Sequence, residues 1–370
     1  MRSSLKQVKR VVVKAGTSIL TSEKGSISQS HLERLGKEIL QLIEQKREAV
    51  LVSSGAIAFG MEASGLKQRP KKMERLQACA AIGQGKLMHA YEQFFSKYEL
   101  TTAQLLLTRD GLEMRKRFLE ARHTLQELFK MKTLAIVNEN DTVSTDEIAF
   151  GDNDILSVHV AHLIHADLLI LLSDVDGFFL QDGSRIRQVE HASEIDAELI
   201  RHLKDTKKER TVGGMRAKLQ AARLAMKLGV ALVIVNGHEA GIVEKLLSGE
   251  DVGTLFMAER HQKSAREKWI AFSAPRKGTV VVDQGAFNAL HQKKCSLLPS
   301  GITEVRGTFD SESVVELEGP DGTVFGRGVV RYSNRDLKKI MRKKTSEIKK
   351  ILGFQGRDEV IHRNDLVLWI

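Results

Sequence analysis

The chain has 370 residues, 42% of them hydrophobic and 28% charged, with a formal net charge of +10. This is ordinary globular composition on a length that suits two domains, and it excludes disordered and membrane-embedded classes. The positive excess implies either a nucleic-acid partner or, more simply, a well-solvated protein that binds a small anionic ligand. Cys79 and Cys295 lie far apart without metal-ligand spacing, which reads as a pair of reduced core thiols. The basic start "MRSSLKQVKR" is followed only by "VVV" before Lys14, too short for a signal-peptide core. No apolar run approaches the roughly 20 residues of a membrane span, so a cytoplasmic location is expected.

In chain order, strands are expected at "RVVVKAG", "AVLVSSG", "TTAQLLLT", "TLAIVNEN", "DLLILLSD" and "ALVIVNG". Each is nearly continuous in valine, leucine or isoleucine, the pattern of strands buried on both faces. Helical patterns fall between them at 31–47, 73–96 and "GMRAKLQAARLAMKLG", where Leu219, Leu224 and Met226 form a stripe and Gly229 a stop. This alternation predicts an α/β fold with an open, mainly parallel sheet sandwiched by helices. "SVHVAHLIHAD" spaces His159, His162 and His165 by three, which reads as a helix packed on the sheet rather than a metal site.

Near residue 257 the pattern changes. The polar, basic "AERHQKSAREKWI" and "AFSAPRKG" lead into short strands at "GTVVVDQG", "EVRGTF", "SVVELEG" and "GRGVVRYS", punctuated by turn residues. One basic helix, 334–351, precedes "DEVIHRNDLVLWI". The expected organisation is a domain over 1–257, a linker over 258–275 and a small β-rich domain over 276–370. The basic helix carries the footprint of phosphate binding, but no aromatic for base stacking follows Tyr332 within it, which disfavours specific RNA binding.

Polar residues close the buried strands, where ligands of open α/β sheets gather. Lys14, Gly16, Thr17 and Ser18 end one; Ser53, Ser54 and Gly55 another; Asn138, Asn140 and Asp141 a third; Ser173, Asp174 and Asp176 a fourth. A lysine beside backbone N–H groups suits phosphate oxygens, and Gly213 and Gly214 opening a helix one turn before Lys218 repeat the combination. There is no G-x-x-x-x-G-K-[ST] loop, and "GQGKLM" fails the G-x-G-x-x-G fingerprint. The segment "NENDTVSTDEIAFGDNDILS", 138–157, concentrates acidic and amide side chains with Gly151 as its only glycine, as for a small cationic or zwitterionic substrate.

"VVVKAGTS", "VSSGAI", "LLLTR", "RFLEARHTL", "VNENDTVS", "FGDNDILS", "LLSDVDG" and "GGMRAKLQAA" resemble, in order and spacing, the glutamate 5-kinase family of the amino-acid kinase superfamily. "SLLPSGI" and "GRGVVRYS" resemble the PUA domain at that family's C-terminus, so the β-rich domain is expected to be PUA-like. The resemblance implies ATP-dependent phosphorylation of the γ-carboxylate of L-glutamate, the first step towards proline. It implies Lys14 and Lys218 at the transferring phosphoryl, with Asp154 orienting the lysines. It implies Ser54, Asp141 and Asn153 at glutamate, with Asn138 and Asp152 close by. Ser173, Asp174 and the run Val212, Gly213, Gly214, Met215, Arg216, Ala217 and Lys218 match nucleotide contacts, and Mg²⁺ is expected to ride on the ATP phosphates. Proline as feedback inhibitor, hand-over to glutamyl phosphate reductase and a homo-oligomer, dimer or tetramer, are further implications. One departure is "KKERTVGGM", where Thr211 and Val212 replace the family's usual glycine and threonine. Another amino-acid kinase acting on a different acid, and an RNA-binding protein with a kinase-like scaffold, are the alternatives. "NEND" with "GDND" argues against the first, and intact Lys14, Asp154 and Lys218 against the second.

Overall fold

A computed structural model describes residues 2–22, 26–143, 152–195, 199, 212–259, 264–293, 295–354 and 356–368. Gly151 and Thr211, singled out in the sequence, lie outside them. The chain forms two compact units, Met1–His261 and Gln262–Ile370. Among the described residues no helix is long and apolar enough to cross a membrane.

In the first unit the six expected strands form: β1 (Arg10–Ala15), β2 (Glu48–Val52), β3 (Thr102–Leu107), β4 (Leu134–Glu139), β5 (Leu168–Ser173) and, after a two-residue β6 (Gln188–Val189), β7 (Ala231–Asn236). With β8 (Thr254–Phe256) they make an eight-stranded sheet of order β3-β4-β2-β1-β5-β7-β8-β6. Pairing is parallel from β3 through β7; β8 runs antiparallel to β7. The continuous apolar runs are explained by burial on both faces: all six residues of β5 are buried, whereas edge strand β3 leaves Leu106 exposed.

Helices cover the sheet: α1 (Gln29–Glu44), α2 (Ala56–Ala63), α3 (Met73–Phe95), α4 (Arg115–Lys130), α5 (Asp152–Leu163), α6 (Val212–Leu228) and α7 (Ile242–Leu247). Leu32, Leu35 and Ile39 of α1 join Val11, Val13, Leu51 and Ile170 of the strands in one core. The approach of α2 to α3 is set by glycine. A Cβ on Gly60 would lie 1.8 Å from the Cys79 carbonyl oxygen, and one on Gly83 would lie 1.8 Å from that of Ala56. His159 and His162 of α5 are buried, and burial, aided by the nearby Arg109 charge, pushes the His159 imidazole down to about 4.

In the second unit, β9 (Arg276–Val282), β10 (Ile302–Gly307), β11 (Val314–Glu318), β12 (Val324–Val329) and β13 (Leu366–Leu368) form a sheet of order β10-β9-β11-β12-β13. Its own core holds Val280, Leu317, Phe325, Leu337 and Ile361. Three sequence expectations change here. Trp269, Ile270 and Ala271, assigned to the linker, are buried, and their helical turn packs on β12 and β13. Cys79 is a core thiol, but Cys295 is exposed, because it lies past α8 (Gln284–Lys293) in the turn before Leu297 re-enters the core. The single basic helix is two, α9 (Asn334–Ile340) and α10 (Ile348–Leu352), parted where Arg342 turns to φ 63°.

Candidate active site

Because β1, β2, β4, β5 and β7 are parallel, their C-terminal ends share one edge of the sheet. The register levels them: Lys14 pairs with Val52 and Leu171, Val52 with Val137, and Ser173 with Asn236. Lys14, Ser53, Asn138 and Ser173 thus stand close to one level along neighbouring strands.

Lys14 is the centre. Its ammonium lies 2.6 Å from Oδ1 of Asp154, and the two side chains are only 10% and 2% exposed. Taking both charges out of water costs several kcal/mol, and an apolar pair of the same volume would pack as well, so the pair is weak evidence for a stabilising role. In so dry a setting the ammonium's field reaches an incoming anion with little screening. Gly16 lies beside the ammonium: a Cβ there would make an ordinary 3.6 Å contact with the Lys14 Nζ. Asp154 reaches Lys14 from the first turn of α5, which packs on β1.

Towards β4 the edge becomes an amide network. Asn153 Nδ2 donates to the Ser53 carbonyl at 2.9 Å, to Ser54 Oγ at 2.9 Å and to Asn138 Oδ1 at 3.0 Å. Asn138 Nδ2 donates to Gln84 Oε1 of α3 at 2.7 Å. Ser53 is fully buried and exchanges a 2.8 Å hydrogen bond with the Tyr91 hydroxyl. Gly55, at φ 103°, turns the chain from β2 into α2 through a conformation that glycine adopts without strain. Asp141 follows β4 and acts on Arg69, whose burial pulls its guanidinium down while the Asp141 charge pushes it back up.

Towards β7 the groups differ again. Ser173 Oγ donates to Asp174 Oδ1 at 3.2 Å, and Asn236 Nδ2 to Asp176 Oδ1 at 2.9 Å. The expected nucleotide run opens α6: Val212 and Gly213 begin it, Gly214, Met215, Ala217 and Lys218 are half-buried and Arg216 is exposed. This helix packs on α5, the helix that carries Asp154.

The structure therefore joins Lys14 to Asp154, Ser54 to Asn153 and Asn138, and Ser173 to Asp174. Sequence reasoning missed Gln84, Arg69, Tyr91 and Asn236. Asn236 ends a β-strand as the chosen residues do, and that signal was available. Gln84 and Arg69 lie on a helix and a loop, where no strand-end rule points.

Comparison with known proteins places these residues in context. The model of the amino acid kinase family matches residues 9–236, and that of the PUA domain matches 278–352. The glutamate 5-kinase of Geobacter sp. (strain M21) is 43% identical over 98% of this chain and 98% of its own length. That of Moorella thermoacetica is 41% identical over 99% of this chain and 98% of its own. The solved UMP kinase of Bacillus anthracis is 19% identical, with a TM-score of 0.46, across 68% of this chain and 97% of that one.

Proposed function

We propose that this chain, which belongs to the amino acid kinase family and to the glutamate 5-kinases within it, transfers the γ-phosphoryl group of ATP to the γ-carboxylate of L-glutamate, the first step of proline biosynthesis. The observation that carries the reading is the buried Lys14–Asp154 pair, standing between an amide-lined stretch of the sheet edge and a serine- and aspartate-lined one.

The sheet order supplies the layout. β5, β1, β2 and β4 are successive neighbours, so their ends span about 14 Å at the usual strand spacing. The nucleotide lies over β5 and β7 against Ser173, Asp174 and the start of α6. The phosphoryl group passes over β1. The amino acid lies over β2 and β4, held by Ser54, Asn153 and Asp141.

A carboxylate is already a nucleophile at neutral pH, so the reaction needs no general base. The barrier is the approach of one anion to another, and positioning with charge stabilisation dominates. Lys14 meets the phosphoryl group as charge moves from the attacking to the leaving oxygen, and Asp154 fixes where its ammonium points. Lys218 supplies the second positive charge from α6. The aspartates of this edge already hold protein partners: Asp154 has Lys14, Asp174 has Ser173 and Asp176 has Asn236. That donor set fits a Mg²⁺ carried by the nucleotide's phosphates and largely hydrated, where it neutralises phosphate charge.

An acidic residue such as Asp141 pairs the substrate's α-ammonium, which a pocket of lysines alone could not distinguish. Proline feedback, hand-over of the acyl phosphate to a reductase and self-association into a dimer or tetramer belong to the same proposal; a monomer by light scattering at micromolar concentration would contradict the last. ADP release with Mg-ATP is the direct check of the acceptor. L-glutamate should drive it at least tenfold better than L-aspartate, whereas equal rates would move the assignment to another acid.

A further inference from the structure

Three amides at the β4 end of the site have orientations that the backbone dictates. The Ser53 carbonyl can only accept, so Asn153 must present Nδ2 to it. The Glu139 N–H can only donate, and it reaches Asn138 Oδ1 at 2.9 Å. Asn138 therefore turns Nδ2 towards Gln84, which must answer with Oε1. No flip of one amide is free of the others, so the hydrogen-bond network itself settles the assignment.

Two atoms remain over. Gln84 Nε2 and Asn153 Oδ1 are buried and have no hydrogen-bond partner among the described residues. Burying an unpaired amide donor or acceptor is costly, and folded proteins rarely tolerate it without a reason. Here one orphan is a donor and the other an acceptor, at the two ends of a single chain of amides. The head of an α-amino acid presents the complement: a carboxylate that only accepts and an ammonium that only donates.

From this we infer that Gln84 is a specificity-determining residue whose Nε2 donates to the α-carboxylate of the substrate. The assignment rests on the reading that the site binds L-glutamate. The α-carboxylate, rather than the γ, is fixed by topology. Gln84 bonds to a β4 residue, while Lys14 is on β1 with β2 between them, so Gln84 serves the end of the substrate farthest from the phosphoryl group. Its position is anchored by the neighbouring glycine: Gly83 lets α3 approach α2 so closely that a Cβ would meet the Gly60 nitrogen at 2.3 Å.

A glutamate in place of Gln84 is isosteric and can still accept from Asn138, so Gln84→Glu preserves the internal bond and replaces only the orphan donor, with an anion. Gln84→Met removes both. The measurement is kcat/KM for L-glutamate and for L-isoglutamine, whose α-carboxylate is a carboxamide, on the full-length wild type and both variants, with KM for ATP as the control for folding. In Q84E the preference for glutamate over isoglutamine should fall at least tenfold, because the new carboxylate repels one substrate and accepts from the other. Its KM for glutamate should rise more than that of Q84M, and KM for ATP should stay within about twofold in both. An unchanged preference in Q84E, or a larger loss in Q84M than in Q84E, would mean that Gln84 only braces Asn138 and would overturn the inference. Wild type turning over neither substrate would overturn the assigned function and this inference together.

Discussion

We propose two jobs for Asp154, and one substitution tests both. Asp154 offsets the desolvation of Lys14, and it holds the ammonium at a fixed point beside Gly16. Asp154→Asn keeps the shape but withdraws the charge, leaving a buried lysine whose ammonium lacks its counter-ion. Breaking such a pair from one side costs roughly 3–5 kcal/mol of stability, and misaiming one charge contact costs about a hundred- to a thousandfold in rate. For D154N we expect a lower urea midpoint and a kcat reduced at least a hundredfold, with KM for glutamate changed less than fivefold. A D154N enzyme with wild-type kcat would remove Asp154 from the mechanism. The same scale shows where sequence reading stops. Lys14 was legible because it closes a buried apolar strand, at the sheet edge where ligands of open α/β sheets gather. Gln84 was not, because a glutamine on a helix is ordinary until its hydrogen bonds are counted.

At the scale of elements, the site depends on how α3 crosses α2. Gly83→Ala would place a methyl carbon against the Ala56 carbonyl, where only a shift of one helix makes room. Overpacking of this kind costs about 1–3 kcal/mol, so G83A should melt several degrees lower. Because Gln84 moves with α3, KM for glutamate should rise while KM for ATP holds. A rise in both would show that the helix shift spreads across the sheet. The six long strands were legible because strands buried on both faces advertise themselves as unbroken apolar runs. The two-residue β6 and three-residue β8 were not, since neither is long enough to show a period. The basic run at 334–351 looked like one helix because its lysines and arginines continue through it with no glycine or proline, although the backbone breaks at Arg342.

At the scale of the molecule, two units divide the chain, and the site residues all belong to the first. The second has its own sheet and core, with Trp269 and its neighbours drawn into it from a stretch whose polar composition suggested a linker. The change of pattern near residue 257 marked the transition in sequence; where packing resumes was set by a few apolar residues among many charges. In the first unit, we propose, the strand ends bring a carboxylate acceptor to a phosphoryl group held by lysines. The most direct test is trapping of the acyl phosphate with hydroxylamine, with Mg-ATP and L-glutamate, on wild type and Lys218→Ala, alongside nucleotide binding by both. The account predicts glutamate-dependent hydroxamate from wild type and at least a hundredfold less from K218A, with ATP still bound by each. Hydroxamate at the wild-type rate from K218A, or none from a wild type that binds ATP, would contradict it.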